Sequence, residues 1–569
     1  MPQLDAIGNV IDTDVLIVGG GISGLWSAKR AREFAEHVLI VEKGPPMGFA
    51  GQGYFSGGGI EAAPPGADIA DHVKDAVYLG DGLYEQDLVE KIFAQSWERI
   101  EELQRLGVEF ITEKNGELWG IPQRGLNHLF CYLGKPFGRG GEDMMKALTQ
   151  EALRCGVHHL QRVFISDLLI SDGAVVGAVG FDTRSGEFII IKAGATIIAS
   201  GQCCMKGHYE GNSMSCGEGI EMAFRAGADL KNMEFNSIWV IPKWFRWEGI
   251  SYLLPLGARF VDAKGEPFIE KYSPEMKSNI DYNYLVRFMA MEARKGNGPF
   301  YLDCSQMTPE DKKRMEPDGG WMALQYKKML RDGLRPLEDR QEWTAGIHWM
   351  SGGMHSDLDM ATNVPGLYVA GKSRGTDPGI YFGGWSLCQC AATGTWAGEN
   401  AARFSRENQN KKIDPHQVKT FKKNLYAPLL NGGHRPNDVL FEVQKTTFPY
   451  DVIILKNETS LKDAVSKIEN IRNDLVPNMG ARDARELMRL RETRCITQLV
   501  ELFLRASIHR TETRGSHYRE DYPERDDANW LKWIFVSNQE GKTVFSHEPV
   551  PVDKYKYKID RFYMDNFRS

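Results

Sequence analysis

The run Asp14-Val15-Leu16-Ile17-Val18 passes directly into Gly19-Gly20-Gly21-Ile22-Ser23-Gly24, and this junction constrains the fold more than any other feature of the chain. A short apolar run bounded by a glycine turn reads as a buried parallel strand. A helix is expected from about Ser23 to Glu36, and Val38-Leu39-Ile40-Val41-Glu42 reads as the next strand, which completes a βαβ unit. Each glycine of the GxGxxG pattern has a separate task. Gly19 permits the tight turn, Gly21 lets backbone approach a pyrophosphate, and Gly24 lets the helix pack on the strand. Glu42 stands where a carboxylate accepts ribose hydroxyls.

A second strand-to-glycine element, Val364-Pro365-Gly366-Leu367-Tyr368-Val369-Ala370-Gly371, follows far down the chain. FAD proteins use such a two-part site, which NAD dehydrogenases usually lack, so the expected cofactor is FAD. A helix beginning after Gly383-Gly384-Trp385-Ser386-Leu387 would aim its positive end at the flavin and stabilise the negative charge of the reduced ring. The cofactor residues expected from these segments are Gly19, Gly21, Gly24, Glu42 and Lys43, the loop Gly51-Gln52-Gly53, the strand end Ser200-Gly201, Glu218, Gly371-Lys372, and Ser386-Leu387.

The predicted fold class is α/β: a Rossmann-like FAD-binding domain (1–234 and 343–412), an inserted capping domain (235–342), and a C-terminal helical domain with a polar, extended tail (413–569). The chain's 569 residues call for two or three domains. A net charge of −7 argues against nucleic acid as the main partner. No run of about 18 apolar residues occurs, and Met1 to Asp14 has no apolar signal core, so a cytoplasmic protein is expected, peripheral to a membrane only through a partner. The nine cysteines are scattered, without the spacing of an iron–sulfur site, and no metal site is expected.

Several further motifs carry a family resemblance: Cys216-Gly217-Glu218-Gly219, Met233-Glu234-Phe235, Gly257-Ala258-Arg259-Phe260, His348 before Gly352-Gly353, and the charged run from Arg514 to Lys532. With the FAD motif, they show that the chain resembles the flavoprotein subunits of fumarate reductase and succinate dehydrogenase, together with aspartate oxidase and adenylylsulfate reductase. The resemblance spans nearly the whole chain. It implies a cap closing over the flavin, a small-molecule substrate between the two, and in many members a separate iron–sulfur subunit that relays electrons.

The departures from the family pattern are specific. Met47 stands at the position aligned with the family's flavin-linking histidine, so FAD is expected to be non-covalent, and the Ala50-Gly51-Gln52-Gly53 loop resembles adenylylsulfate reductase more than succinate dehydrogenase. Trp239 occupies the place of a substrate histidine, and Tyr282 and Tyr381 occupy the places of two arginines. His348 keeps its place. Arginine binds a carboxylate through two oriented, charge-assisted hydrogen bonds, and tyrosine supplies no positive charge. Succinate, fumarate and aspartate are therefore disfavoured. Trp239, Trp244, Trp247, Trp349, Tyr381, Phe382 and Trp385 point to a pocket for a flat, bulky or weakly charged substrate, with Lys243, Arg246 and Arg259 available to an anionic group. The expected reaction moves hydride between flavin and a substrate carbon, with His348, Tyr282 or Tyr381 handling the proton. An adenylylsulfate-reductase-like activity at sulfur and a purely electron-transferring subunit remain alternatives. Lys372 stands where the family carries an acid; beside the flavin it would raise the reduction potential. The C-terminal charges are expected to pair among themselves.

Overall fold

The computed structural model describes residues 4–567 apart from 46, 50, 124, 136–139, 210, 245–252, 316–322, 381, 409–411 and 431. Its central sheet has seven strands. Asn9–Val18 lies between Val38–Glu42 and Phe188–Ile198, parallel to both, and His158–Gln161 extends the Val38 edge in parallel. The far edge of Phe188–Ile198 is shared. Its first half pairs antiparallel with Ala174–Asp182, and its last residues pair in parallel with Leu367–Val369. The second nucleotide element therefore returns to the same sheet as the first, with Phe188–Ile198 between them, after a long excursion in sequence. Strands buried on both faces need continuous apolar runs, and Val15, Leu16, Ile17, Ile197 and Ile198 are all fully buried.

The helix Ile22–Ala31 packs on the long helix Trp385–Glu407. Gly394 and Gly398 make that approach possible: a Cβ on either would sit 2.6 Å from Ser23 O or 2.3 Å from Ser27 O. A second sheet, wholly antiparallel, carries Asn236–Pro242, Gln341–Met350, Phe300–Asp303 and Arg259–Val261 in that order. Three of its strands come from the segment read as the cap, and the fourth, Gln341–Met350, runs past that segment's expected end at 342.

The C-terminal part keeps the expected helical domain and departs from expectation only near its end. Ala484–His509 is helical, but Lys532–Gln539 and Lys542–Pro549 form an antiparallel hairpin that joins Leu230–Lys231 and Gly353–Met354 in a third sheet. The charged run before it does pair internally. Arg514, fully buried, bonds Glu512 at 2.8 Å and Asp527 at 2.6 Å, and Arg519 bonds Asp521 at 2.8 Å. Arg510 reaches Glu234 at 2.8 Å, which ties this run to the Met233-Glu234-Phe235 motif.

One buried acid lacks such compensation. Glu61 accepts from Phe130 N at 2.6 Å through Oε1, while its buried Oε2 has no partner among the described residues. Burial, opposed by the Phe130 amide, drives its pKa well above that of a free glutamate. Because the folded-state pKa exceeds the unfolded one, Glu61 weakens the fold progressively as pH rises from about 4.5 towards the folded value, by about 1.4 kcal/mol per pH unit in that window. Glu61→Gln keeps the shape of the protonated acid. It is expected to melt with the native protein near pH 5 and above it at pH 8; thermal unfolding at the two pH values, with equal melting at both, would remove this account.

Candidate active site

The glycine turn shapes the head of a cleft. Gly19 has φ +113°, and a Cβ there would lie 2.6 Å from Ala199 O; a Cβ on Gly24 would lie 2.0 Å from Gly19 O. Gly21 differs from both. Its φ of −74° suits any residue, and a Cβ there would meet nothing within 4 Å. Gly21 also caps the helix Ile22–Ala31 with no side chain bonded to the free amides, so an uncapped helix N-terminus faces open space.

That space encloses about 870 Å³, open solvent at its mouth included. Gly19, Gly21, Glu42, Lys43, Gly51, Gln52, Gly53, Ser200, Gly201, Glu218 and Lys372 all line it. Four expected residues stand outside the wall. Gly24 is spent on strand–helix packing. Gly371 faces Ser23 and Cys390, and its amide bonds Thr393 Oγ1 at 2.9 Å. Leu387 is buried in the helix Trp385–Glu407, and Ser386 lies in that helix's first turn. Ser23, Val163 to Ile165, Gln202, Met214, Ser215, Met222 and Cys390 are also part of the lining. Met47 is buried but does not contribute to the wall, and none of the described lining residues is a histidine.

Several of the expected ligands are already engaged by protein. Glu42 accepts from Gly20 N at 2.9 Å and from Gly44 N at 2.8 Å, and burial raises its pKa. Each carboxylate oxygen keeps a further lone pair for a hydroxyl. Lys43 pairs with Glu218, and with Glu492 at 2.6 Å. Burial works against its charge, but Cys216, Glu218 and Glu492 hold its pKa well above the ordinary value.

A cluster of buried aromatic rings, the expected substrate pocket, meets the cleft at Lys372. Trp239 lies on Asn236–Pro242, His348 and Trp349 lie on the neighbouring Gln341–Met350, and Tyr282 begins the helix Tyr282–Arg294. Ser237 pairs with Trp349 and Ile238 with Ile347, so His348 is the extra residue of a β-bulge, a device that re-aims one side chain out of the ladder. Its ring lies 3.4 Å from Trp349, 4.1 Å from Tyr209 and 4.2 Å from Trp239, centroid to centroid, and Trp239 is 4.7 Å from Tyr282. His348 Nδ1 is buried without a hydrogen-bond partner among the described residues. Burial first, and then the Lys372 charge, hold its pKa well below 6.5. Trp239 Nε1 donates to Ser237 Oγ at 3.0 Å, which commits its single donor and leaves the indole as a wall.

Lys372 joins cleft and pocket. It lines the former, its Nζ lies 4.7 Å from the Trp349 centroid, and it is ion-paired with Asp377. Asp377 also accepts from Trp385 Nε1 at 2.8 Å. Tyr381, Arg246 and Trp247 lie outside the described residues. Three other expected contributors are elsewhere. Trp244 is 74% exposed, Lys243 bonds Glu342 at 2.7 Å, and Arg259 bonds Asp303 at 3.2 Å. Tyr209, which sequence reasoning missed, sits in a loop with no motif to mark it.

The residues present fit FAD. The uncapped helix end and Gly21 suit a pyrophosphate. Buried Ser200 Oγ and Gln202 Oε1 line the cleft side, and Ser386 Oγ and Gln389 Oε1 lie in the helix beyond Lys372; all four lack partners among the described residues, and such orphans call for a polar ligand or water. Residues 14–384 match the FAD binding domain family, and residues 443–562 match the C-terminal family of fumarate reductase flavoproteins. The chain belongs to the fumarate reductase/succinate dehydrogenase flavoprotein family. This flavoprotein is an FAD-dependent oxidoreductase. It is 29% identical to a subunit of the fumarate reductase (CoM/CoB) of Methanothermobacter marburgensis, over 93% of this chain and 97% of that one. It is 27% identical to the 8-methylmenaquinol:fumarate reductase flavoprotein subunit of Wolinella succinogenes, over 96% and 92%. In fold it is similar to a variant of the E. coli quinol fumarate reductase (TM-score 0.85, 21% identity, 96% and 98% covered) and to adenylylsulfate reductase from Archaeoglobus fulgidus (0.79, 22%, 95% and 96%). No helix among the described residues of this flavoprotein is long and apolar enough to cross a membrane.

Proposed function

We propose that this flavoprotein exchanges two electrons between non-covalent FAD and an unsaturated or aromatic organic substrate held in the aromatic pocket, with an iron–sulfur partner relaying the electrons. The observation that carries the reading is His348, thrust by a bulge into a cage of Tyr209, Trp239 and Trp349, with Tyr282 rather than an arginine at its rim. Aromatic faces select a flat carbon skeleton. The neighbouring cation, Lys372, is neutralised by Asp377, which disfavours a dicarboxylate. Bound FAD supplies the two-electron redox chemistry. His348 is neutral at ordinary pH, so its free nitrogen accepts a proton from the substrate or, once protonated, delivers one; the surrounding rings exclude water from that exchange. A cleft wall without a described histidine favours FAD held without a covalent link, and relatives that are named as subunits favour a partner chain.

The test is anaerobic purification from native cells, with co-purifying chains identified by mass spectrometry, followed by a comparison of α,β-unsaturated and aromatic acids or thioesters with fumarate as electron acceptors. Turnover of the bulky substrates alongside a co-purifying iron–sulfur chain supports the reading. Faster turnover of fumarate overturns the substrate assignment.

Lys372 makes a separate prediction. Lys372→Met leaves Asp377 as a net negative charge beside the cofactor. The FAD midpoint potential is expected to fall by on the order of 30 mV, the two-electron equivalent of about 1.4 kcal/mol, and the His348 pKa to rise, because a depressing charge is gone. Spectroelectrochemistry reads the first. An unchanged potential places Lys372 outside the flavin's field.

A further inference from the structure

Gln202 lines the FAD cleft, is only 2% exposed, and its Oε1 has no partner among the described residues. A side-chain amide has a donating end and an accepting end, and the end left free decides what a ligand must offer. Here the sense is set by a chain of amides rooted in main chain. Ile347 O can only accept, and Asn212 Nδ2 donates to it at 2.8 Å. Asn212 Oδ1 must then accept, which it does from Gln52 Nε2 at 2.9 Å. Gln52 Oε1 in turn accepts from Gln202 Nε2 at 2.8 Å. Each link fixes the next, so the oxygen of Gln202 is the group left over. Turning Gln202 alone would set its oxygen against Gln52 Oε1, and turning every amide would set Asn212 Oδ1 against Ile347 O. A second contact, Gln52 Nε2 to Cys204 Sγ at 3.2 Å, holds the middle of the chain in the same sense.

The two ends of the chain lie at the two parts of the site. Ile347 precedes His348 on the strand Gln341–Met350, and Gln52 and Gln202 are both in the cleft wall. Asn212 is fully buried and is not part of that wall. We propose that Gln202 is a cofactor-binding residue: its side-chain carbonyl accepts a hydrogen bond from the flavin half of FAD, from a ring N–H or a ribityl hydroxyl. Asn212 is the positioning residue that keeps this carbonyl, and not the amide N–H, free for the ligand.

The polarity selects the partner. Pyrophosphate oxygens accept and do not donate at neutral pH, so an accepting amide gains nothing from them. Glu42 already stands ready for the hydroxyls of the adenosine ribose. The hydroxyls and N–H of the flavin half are the donors that remain beside a chain rooted next to His348. A buried acceptor with a partner also discriminates, because a ligand without the donor leaves it unpaired. The assignment rests on FAD binding alone and is independent of the substrate that the aromatic pocket takes.

The experiment strips the full chain of FAD and titrates it with FAD and, separately, with ADP, which carries the adenosine and pyrophosphate but no flavin. Gln202→Met keeps the length of the side chain and removes both amide atoms. It is expected to bind FAD about five- to tenfold more weakly, as for one hydrogen bond lost at a buried group, with ADP binding unchanged. Gln202→Ala makes the same test without the bulk. Asn212→Leu lets the chain turn over and is expected to cost FAD about two- to threefold, again with ADP unchanged. The double variant Gln202→Met/Asn212→Leu should bind FAD no more weakly than Gln202→Met, because the two residues act through one hydrogen bond. FAD methylated at the ring N–H separates the two donors. A methyl penalty in the native protein that Gln202→Met abolishes assigns the ring, and an equal penalty in both assigns a ribityl hydroxyl. FAD affinity within about twofold of native in both Gln202 variants, or equal losses of FAD and ADP, overturns the cofactor contact. Additive losses in the double variant overturn the positioning role of Asn212.

Discussion

Replacing His348 by asparagine is expected to lower turnover by about 10²- to 10⁴-fold, the usual worth of a general acid or base, with the FAD content unchanged. The separation follows from position: His348 does not line the cofactor cleft, and its contacts are the rings of Tyr209, Trp239 and Trp349. Asparagine is neutral, as His348 is, so no charge is added to the pocket. Burial and the Lys372 charge hold the His348 pKa well below 6.5, so native activity should persist through pH 6.5 and fall only on a more acidic limb, where the histidine takes up its proton and can no longer accept one. That limb should vanish in the variant. His348→Gln fills more of the vacated ring volume, which separates lost packing from lost proton transfer. Turnover within about threefold of native for both variants, measured on the best substrate found, would remove His348 from the chemistry.

The sequence carried the strand–turn–helix at 14–31 because every determinant of it is local: an apolar run, three glycines, and an amphipathic continuation. The return of Gly366 to Gly371 to the same sheet was legible for the same reason. What escaped depends on distant pairing. Nothing near His348 in sequence marks it as a bulge residue; the bulge exists only in its register against Ser237 and Ile238. Lys43 reads as a free cation until Glu492, from the C-terminal helix Ala484–His509, folds against it. The Lys532–Pro549 hairpin was missed because the second strand is exposed along most of its length, with no apolar face to set a period of two. Ser386 and Leu387 were placed at the cofactor on the strength of a helix N-terminus; Ser386 Oγ is buried without a partner among the described residues, beyond the cleft wall at Lys372 and Cys390.

Gly21 gives the sharpest test of the cofactor site, because the folded protein has no use for a glycine there. Its backbone lies in the extended region open to every residue, and an added Cβ would touch nothing within 4 Å. Gly21→Val should therefore fold without a clash; Gly21→Ala should change stability little, because a less flexible unfolded chain is offset by a poorer helix cap. Both side chains project into the cleft where the pyrophosphate would approach the helix end. The valine variant is expected to bind FAD at least about 100-fold more weakly, near 3 kcal/mol for overfilling a close contact, and to lose the rise in melting temperature that added FAD gives the native protein. Gly24→Ala is the opposite case. Its Cβ would fall 2.0 Å from Gly19 O, so it should lower the melting temperature of the apoprotein itself. Flavin titration and thermal melts of the two variants distinguish a glycine kept for the ligand from one kept for the fold. A Gly21→Val protein that retains stoichiometric FAD would show that the pyrophosphate does not lie at this turn.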